Sequence, residues 1–423
     1  MATTKRVTVD DGPTNATIQQ VVDEVAAAGG GVVEVPAGVY AMHDALQLRS
    51  GVRVVGEAGV VLRKVPSVSS TIPDHLGYGH YEITVDEPDK FRVGMGVHVL
   101  DDGGRGFYTT VASIIGKEGD RLFIDRMLNH DCSPGQNAIA VSVYPIVEAA
   151  GVSDAGVEGV AADGNQDEET FTLNGCRGGG VFAIRSHRLT VRGVEVMNYR
   201  RDGISFQQCT DVLVEDCHVH HNTGGGLHPG SGTVRYVMRR NRVHDNGGCG
   251  IYYCLRTTHS ICCDNTIADN AEAGISIGTR DTDHIVSGNR ISGNGGPGIQ
   301  FRGFTRQGGD RVRVEGNTIG PNCAGEAEHE IAIHDGVRGV HLLGNTVQPG
   351  KGAAFGVGDG SEQVCIENNT VAGRPQEPGD VAGEPDGIAF TDAIGPAGLP
   401  LDGARHLNIP QLAAWEDFGV EDA

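Results

Sequence analysis

The stretch Gly274–Asn294, GISIGTRDTDHIVSGNRISGN, is one unit of a repeat with a fixed step. Gly226, Gly250, Gly274 and Gly298 follow an i, i+24 pattern, and Asn222, Asn246, Asn270 and Asn294 keep the same interval. Asn241, Asn265 and Asn289 form another register with that step. Each unit reads as Gly-apolar-x-apolar, a polar turn, a short apolar strand, Asn-x-apolar and an Asn-Gly turn. Short strands and turns at such a period are the signature of a solenoid, here an all-β parallel β-helix.

The Asn registers have a physical reason in that fold. Coils stack at the strand spacing of about 4.8 Å, so an Asn recurring at one turn can bond backbone groups above and below it. The Gly before each first strand suits a corner. Both residue classes are read as scaffold.

Length and composition agree. A solenoid absorbs 423 residues by adding coils, and 65 Gly without a collagen-like triplet point to many turns. No apolar run is long enough to cross a membrane as a helix, and MATTKRVTVDDGPTN has no apolar h-region of a secretory signal. A cytoplasmic or virion-associated protein is therefore expected. The formal charge is -22, and only five of the 33 basic residues are Lys. Such a surface repels nucleic-acid phosphates and suits a high-salt interior. The ten Cys include no CxxC pair and no zinc spacing, so they are read as buried free thiols and no metal ligands are assigned.

Ile18, Val21, Val22 and Val25 recur at helical spacing, with Asn15 or Thr14 as N-cap and Gly29 as terminator. This helix would close the open end of the first coils. The expected organisation is cap helix and first coils over 1–76, a β-rich insertion over 77–145, main coils over 146–373, and an acidic Pro/Gly-rich arm over 374–423.

The run TIQQVVDEVAAAGGGVVEVPAGVY, residues 17–40, resembles the opening of pectate-lyase-3-type proteins of the pectin-lyase-like superfamily: cap helix, GGG, strand, P-x-G-x-Y. The later coils resemble the right-handed parallel β-helix repeats of that superfamily. The likeness covers roughly residues 6 to 372. It implies the fold and, more broadly, action on carbohydrate by lyases, hydrolases, epimerases or tailspike depolymerases.

Function is sought on side chains that point outward from one sheet. Strand alternation stacks Ser205, His228, Tyr252, Ser276 and Gln300 in one outward column, with Gln207, Cys254 and Arg302 in the next. Asp281 and Asp283, two apart in extended chain, are the candidate acid/base or nucleophile pair of a glycoside hydrolase. His228 and Asp202 form a second candidate catalytic pair, and Tyr252, Arg256, His259 and Arg302 are candidate substrate-binding residues. The Asp202-Gly203 dipeptide is similar to the Asp-Gly of polygalacturonase-like hydrolases, but Gln207-Gln208 stands where a paired Asp is expected and His228-Pro229 replaces His-Gly. Polysaccharide lysis or uronate epimerisation is the alternative, with Ca²⁺ on the Asp pair and Arg302 or Arg256 as base. A non-catalytic glycan-binding or viral tailspike-type protein is the third reading. No organic cofactor is expected, since no phosphate loop or dinucleotide fingerprint occurs. The expected partner is a carbohydrate substrate, with no nucleic acid and no membrane, and a homotrimer is compatible with such a solenoid.

Overall fold

The computed structural model describes residues 3–9, 12–303, 308–323 and 329–382. The chain divides into two compact units, Met1–Cys209 with Asp216–His228, and Thr210–Glu215 with Pro229–Ala423. Both are built from coils of a parallel β-helix, in which successive coils contribute strands to three sheets.

In the first unit the helix Asn15–Ala27 buries Ile18, Val22 and Val25. It lies against the strand Gly31–Val35. Gln19 pins it to the neighbouring coil: its Oε1 accepts from the Gln47 amide at 2.8 Å and its Nε2 donates to the Gln47 carbonyl at 3.1 Å. Those backbone groups belong to the edge strand Leu46–Gln47, so the helix satisfies an edge that would otherwise face solvent.

Residues between Ser69 and Val141 leave the coil path and form a six-stranded sheet with antiparallel pairing. Its own core contains Ile83, Val97, Val99, Ile114, Leu122, Ile124 and Cys132. The first of these strands, Ser69–Thr71, lies ahead of the expected boundary at 77, because it pairs with Ile139–Val141 at the other end of the insertion.

In the second unit the constant sequence step becomes register. Val234 faces Thr258 and Thr258 faces Thr282, while Ile251 faces Ile275 and Ile275 faces Ile299. Apolar residues alternate inward: Tyr236, Met238, Ile251, Cys262, Ile275, Val286, Ile299 and Phe301 are buried. Two Asn ladders run along the turns. The side chain and backbone amides of Asn241 both donate to Asn265 Oδ1 at 2.9 Å, and the arrangement recurs from Asn265 to Asn289, Asn317, Asn345 and Asn369. The last rung, Asn369, donates to Gln376. The second ladder, Asn246, Asn270, Asn294 and Asn322, ends on the buried Glu330 carboxylate. Glu330 and Gln376 thus supply the acceptors that a further Asn would have provided.

Coil pairing continues past 373, where the repeat pattern fades: Arg374–Pro375 folds back antiparallel on Thr370–Val371, and Val381–Ala382 adds to the sheet holding Phe355–Val357. The rest of the expected C-terminal arm, 383–423, lies outside the described residues. Among the described residues no helix is long and apolar enough to cross a membrane.

A buried ladder amide holds several partners at once. Asn265→Ala removes the acceptor for two Asn241 groups and the donor to the Met238 carbonyl. It should lower unfolding free energy by about 3 kcal/mol, measured by denaturant titration, whereas Ala at the exposed neighbour Thr266 should leave it within about 0.5 kcal/mol.

Candidate functional site

The residues assigned from sequence divide between the units. Asp202 and His228 belong to the first; Tyr252, Arg256, His259, Asp281, Asp283 and Arg302 belong to the second.

Asp202 and His228 do meet, with Oδ2 2.6 Å from Nδ1. Burial opposes charge on Asp202, but the His228 contact and the Gly225 amide outweigh it and lower its pKa. The pair does not face an open cleft. The segment 164–180 crosses in front of it, and a Cβ placed on Gly175 would lie 2.0 Å from Asp202 Oδ2 and 2.6 Å from His228 Nδ1. The Ser205 hydroxyl and the Gln207 amide, members of the same outward columns, donate to the Gly175 carbonyl. An ion pair between the buried Lys64 and Glu169 ties the segment down, with Ser67 also donating to Glu169. The expectation that Asp202 and His228 stand on an accessible wall is therefore corrected: Asp202 is 5% exposed and His228 6%, under a loop that local strand alternation cannot reveal.

In the second unit Arg302 is the centre of a polar cluster. Its guanidinium carbon sits 4.2 Å from the centroid of the Tyr252 ring. Nη1 donates to Ser276 Oγ at 2.6 Å and Nη2 to the Tyr253 carbonyl. A Cβ at position 278 would lie 2.4 Å from Arg302 Nε, so Gly278 is what lets the side chain lie along the sheet. Burial raises the Tyr252 pKa against the opposing effect of Arg302, which keeps it a phenol.

Arg302 also lines an open cleft of about 710 Å³, together with Gln300, Gly303, His334, Asp335, Gly336 and Asp359. Gln300 Nε2 lies 3.0 Å from His334 Nε2 and donates to it, which leaves the ring proton on Nδ1. Asp335 and Asp359 are exposed and hold equivalent positions on successive coils, since Ile331 pairs with Phe355 four positions before each. Gly336 N donates to the Asp359 carbonyl at 3.1 Å. Gly358 matters here because a Cβ on it would meet Asp335 Oδ1 at 2.4 Å. The sequence reading placed Gln300 in the outward column but missed His334, Asp335 and Asp359. A signal existed: Asp335-Gly336 and Asp359-Gly360 are separated by the ordinary repeat step, once the longer coil between them and Gly298 is allowed for.

The Asp281 and Asp283 assignment is corrected. Asp281 is fully buried, and its carboxylate accepts from Thr257 N, Thr257 Oγ1 and Gly278 N, holding two adjacent turns. Asp283 has a left-handed backbone and accepts from Arg311 Nε and Nη2 at 2.7 Å; burial opposes its charge, but the Arg311 bonds outweigh it and lower its pKa. Asp281 serves turns from a buried position 3.8 Å from Arg302 Nη2, while Asp283 is held by Arg311, so the two do not share a substrate. Arg256 is exposed and His259 half-buried, each with positive φ, and neither lines the cleft. Burial pushes Asp281 up to about 7, against hydrogen bonds and Arg302 that work the other way. A folded-state pKa above the unfolded value gives stability that is complete below the unfolded pKa and lost as pH rises through about 7. Between about pH 5 and about pH 8 the wild-type thermal midpoint should fall relative to that of Asp281→Asn, in which this titration is absent.

Residues 158–319 match the family described as Right handed beta helix region. No curated protein matches the sequence. Among solved structures, the A-module of the Azotobacter vinelandii mannuronan C-5 epimerase AlgE4 aligns at 16% identity over 91% of this chain and 99% of that one, with a TM-score of 0.53. The polygalacturonase from Erwinia carotovora ssp. carotovora aligns at 12% identity over 91% and 96%, with a TM-score of 0.55. The Dettilon tailspike protein aligns at 13% identity over 87% of this chain and 62% of that one, with a TM-score of 0.55. At these identities the likeness is one of fold. Taken with the family match over residues 158–319, it shows that the chain has the fold of a right-handed parallel β-helix.

Proposed function

We propose that the protein is a carbohydrate-active enzyme that cleaves glycosidic bonds of a poly- or oligosaccharide in the cleft of its second unit. The observation that carries this reading is the pair Asp335 and Asp359, both exposed, both lining the cleft, on successive coils. One strand spacing, about 4.8 Å, approaches the carboxyl separation of about 5–5.5 Å used by retaining glycosidases, where one carboxyl protonates the leaving oxygen and the other attacks the anomeric carbon. His334, beside Asp335, and Gln300 offer polar groups to sugar hydroxyls, and Arg302 on Tyr252 offers a cation beside an aromatic face. The open form of the cleft suits a chain-like ligand. This chemistry calls for no organic cofactor.

Elimination from, or epimerisation of, a uronate is the second reading, favoured by the Arg302–Tyr252 pair: a cation to neutralise a carboxylate next to a phenol that can move a proton. Structural neighbours that include an epimerase module and a polygalacturonase are consistent with either reaction.

A panel of neutral and uronate polysaccharides separates these readings. Hydrolysis should release reducing ends without the ultraviolet absorbance of an unsaturated uronate; elimination should release both. Asp335→Asn and Asp359→Asn should each lower kcat by about 10²–10⁴-fold, while Arg302→Met should raise KM on an anionic substrate more than it lowers kcat. Turnover undiminished in both Asp variants would remove the assignment. Epimerisation should release neither and instead change the C5 configuration of the uronate units, read by proton NMR; binding with neither cleavage nor such a change would make this a glycan-binding protein.

A further inference from the structure

On another sheet of the second unit, away from the strands that line the cleft, His341, Cys365 and Glu367 come together. The register explains how. His341 faces Cys365 across the strands Val340–Leu343 and Cys365–Glu367, and Glu367, two residues on, projects from the same side of its strand. Their ligand-capable atoms lie within 4.8 Å of one another. The three residues are 4%, 2% and 2% exposed.

Within this cluster the His341 ring is poorly satisfied. Neither ring nitrogen of His341 has a hydrogen-bond partner, and its Nε2 lies 3.6 Å from Glu367 Oε2. Cys365 Sγ donates to Glu367 Oε1 at 2.9 Å. A buried imidazole with two orphaned nitrogens costs free energy unless something else engages it.

We infer that His341, Cys365 and Glu367 form a binding site for a divalent transition-metal ion, with zinc the best match to the ligand set. One imidazole, one thiolate and one carboxylate are the donor types zinc takes, and three protein ligands leave the fourth position to water. With zinc–ligand bonds of about 2.0–2.3 Å, tetrahedral ligand–ligand edges are roughly 3.3–3.7 Å. The His341 Nε2–Glu367 Oε2 separation of 3.6 Å already has that length, and Cys365 Sγ, now 2.9 Å from the other carboxylate oxygen, moves off by roughly half an ångström once the proton between them is gone. On binding, the thiol proton leaves to solvent, and thiolate plus carboxylate balance the charge of the ion. The nearby Arg313 is already paired with Glu315 at 2.5 Å, so it does not stand as an uncompensated cation beside the site. The bound ion would tie Val340–Leu343 to Cys365–Glu367, two successive strands of one sheet.

The test uses the full-length protein stripped with a chelator and then given equimolar Co²⁺. A thiolate-to-cobalt charge-transfer band in the near ultraviolet, with visible bands of four-coordinate intensity, is the expected spectrum. Cys365→Ser should abolish the charge-transfer band, and both Cys365→Ser and His341→Ala should weaken Zn²⁺ binding by about 10–100-fold or more in competition with a chromophoric chelator. Glu367→Gln, which keeps the side-chain shape, should weaken Zn²⁺ as well and serves if the Cys variant does not fold. His220→Ala is the control, because Glu195, His218 and His220 form a second, partly exposed cluster in the other unit. Absence of the band, its survival in Cys365→Ser, or loss of binding in His220→Ala would overturn the assignment.

Discussion

The structure depends on an amide that reaches from one coil to the next. From the second rung on, each ladder Asn offers its Oδ1 to both the backbone and side-chain amides of its counterpart one coil earlier, and its Nδ2 to a carbonyl of that same earlier coil, as Asn265 does toward Asn241 and Met238. These are turn groups, where the strand ladders no longer provide partners and where burial makes an orphan costly. Because Asn supplies both an acceptor and donors, one residue type repeated at one position serves every turn in its line. A carboxylate can end such a line but not continue it, and Glu330 stands at the end of the second ladder.

That constraint also governs chemistry. Once coils are locked in register, residues one repeat step apart in sequence become neighbours, which is how Asp335 comes beside Asp359 and His341 beside Cys365. The scaffold leaves the outward positions free, and what occupies them differs by region. In the first unit the segment 164–180 lies over Asp202 and His228 and converts a would-be site into a buried polar contact holding that segment. In the second unit an open cleft remains beside Arg302.

Buried polar groups are accordingly of two kinds. Asp281 receives three hydrogen bonds from the turns around Thr257 and Gly278, so its burial is explained by the backbone it serves. His341 is also enclosed but its ring nitrogens have no hydrogen-bond partner, and its neighbours are a thiol and a carboxylate. The first pattern is architecture; the second has the form of a ligand set.

The constant repeat step, the Asn and Gly registers and the amphipathic spacing of Ile18, Val22 and Val25 were enough to determine the parallel β-helix and its cap helix. Each is a local or strictly periodic demand, and chain order alone states it. Whether an outward side chain is reachable was decided only in three dimensions, because that depends on segments outside the repeat: the covering loop over His228, the inward turn of Asp281, and the longer Asn steps from Asn289 to Asn317 and on to Asn345. That lengthening moved Asp335 and Asp359 out of the simple count, although the ordinary step between the two was there to be read. Periodicity fixes which groups stack, while accessibility is set by the residues that break it.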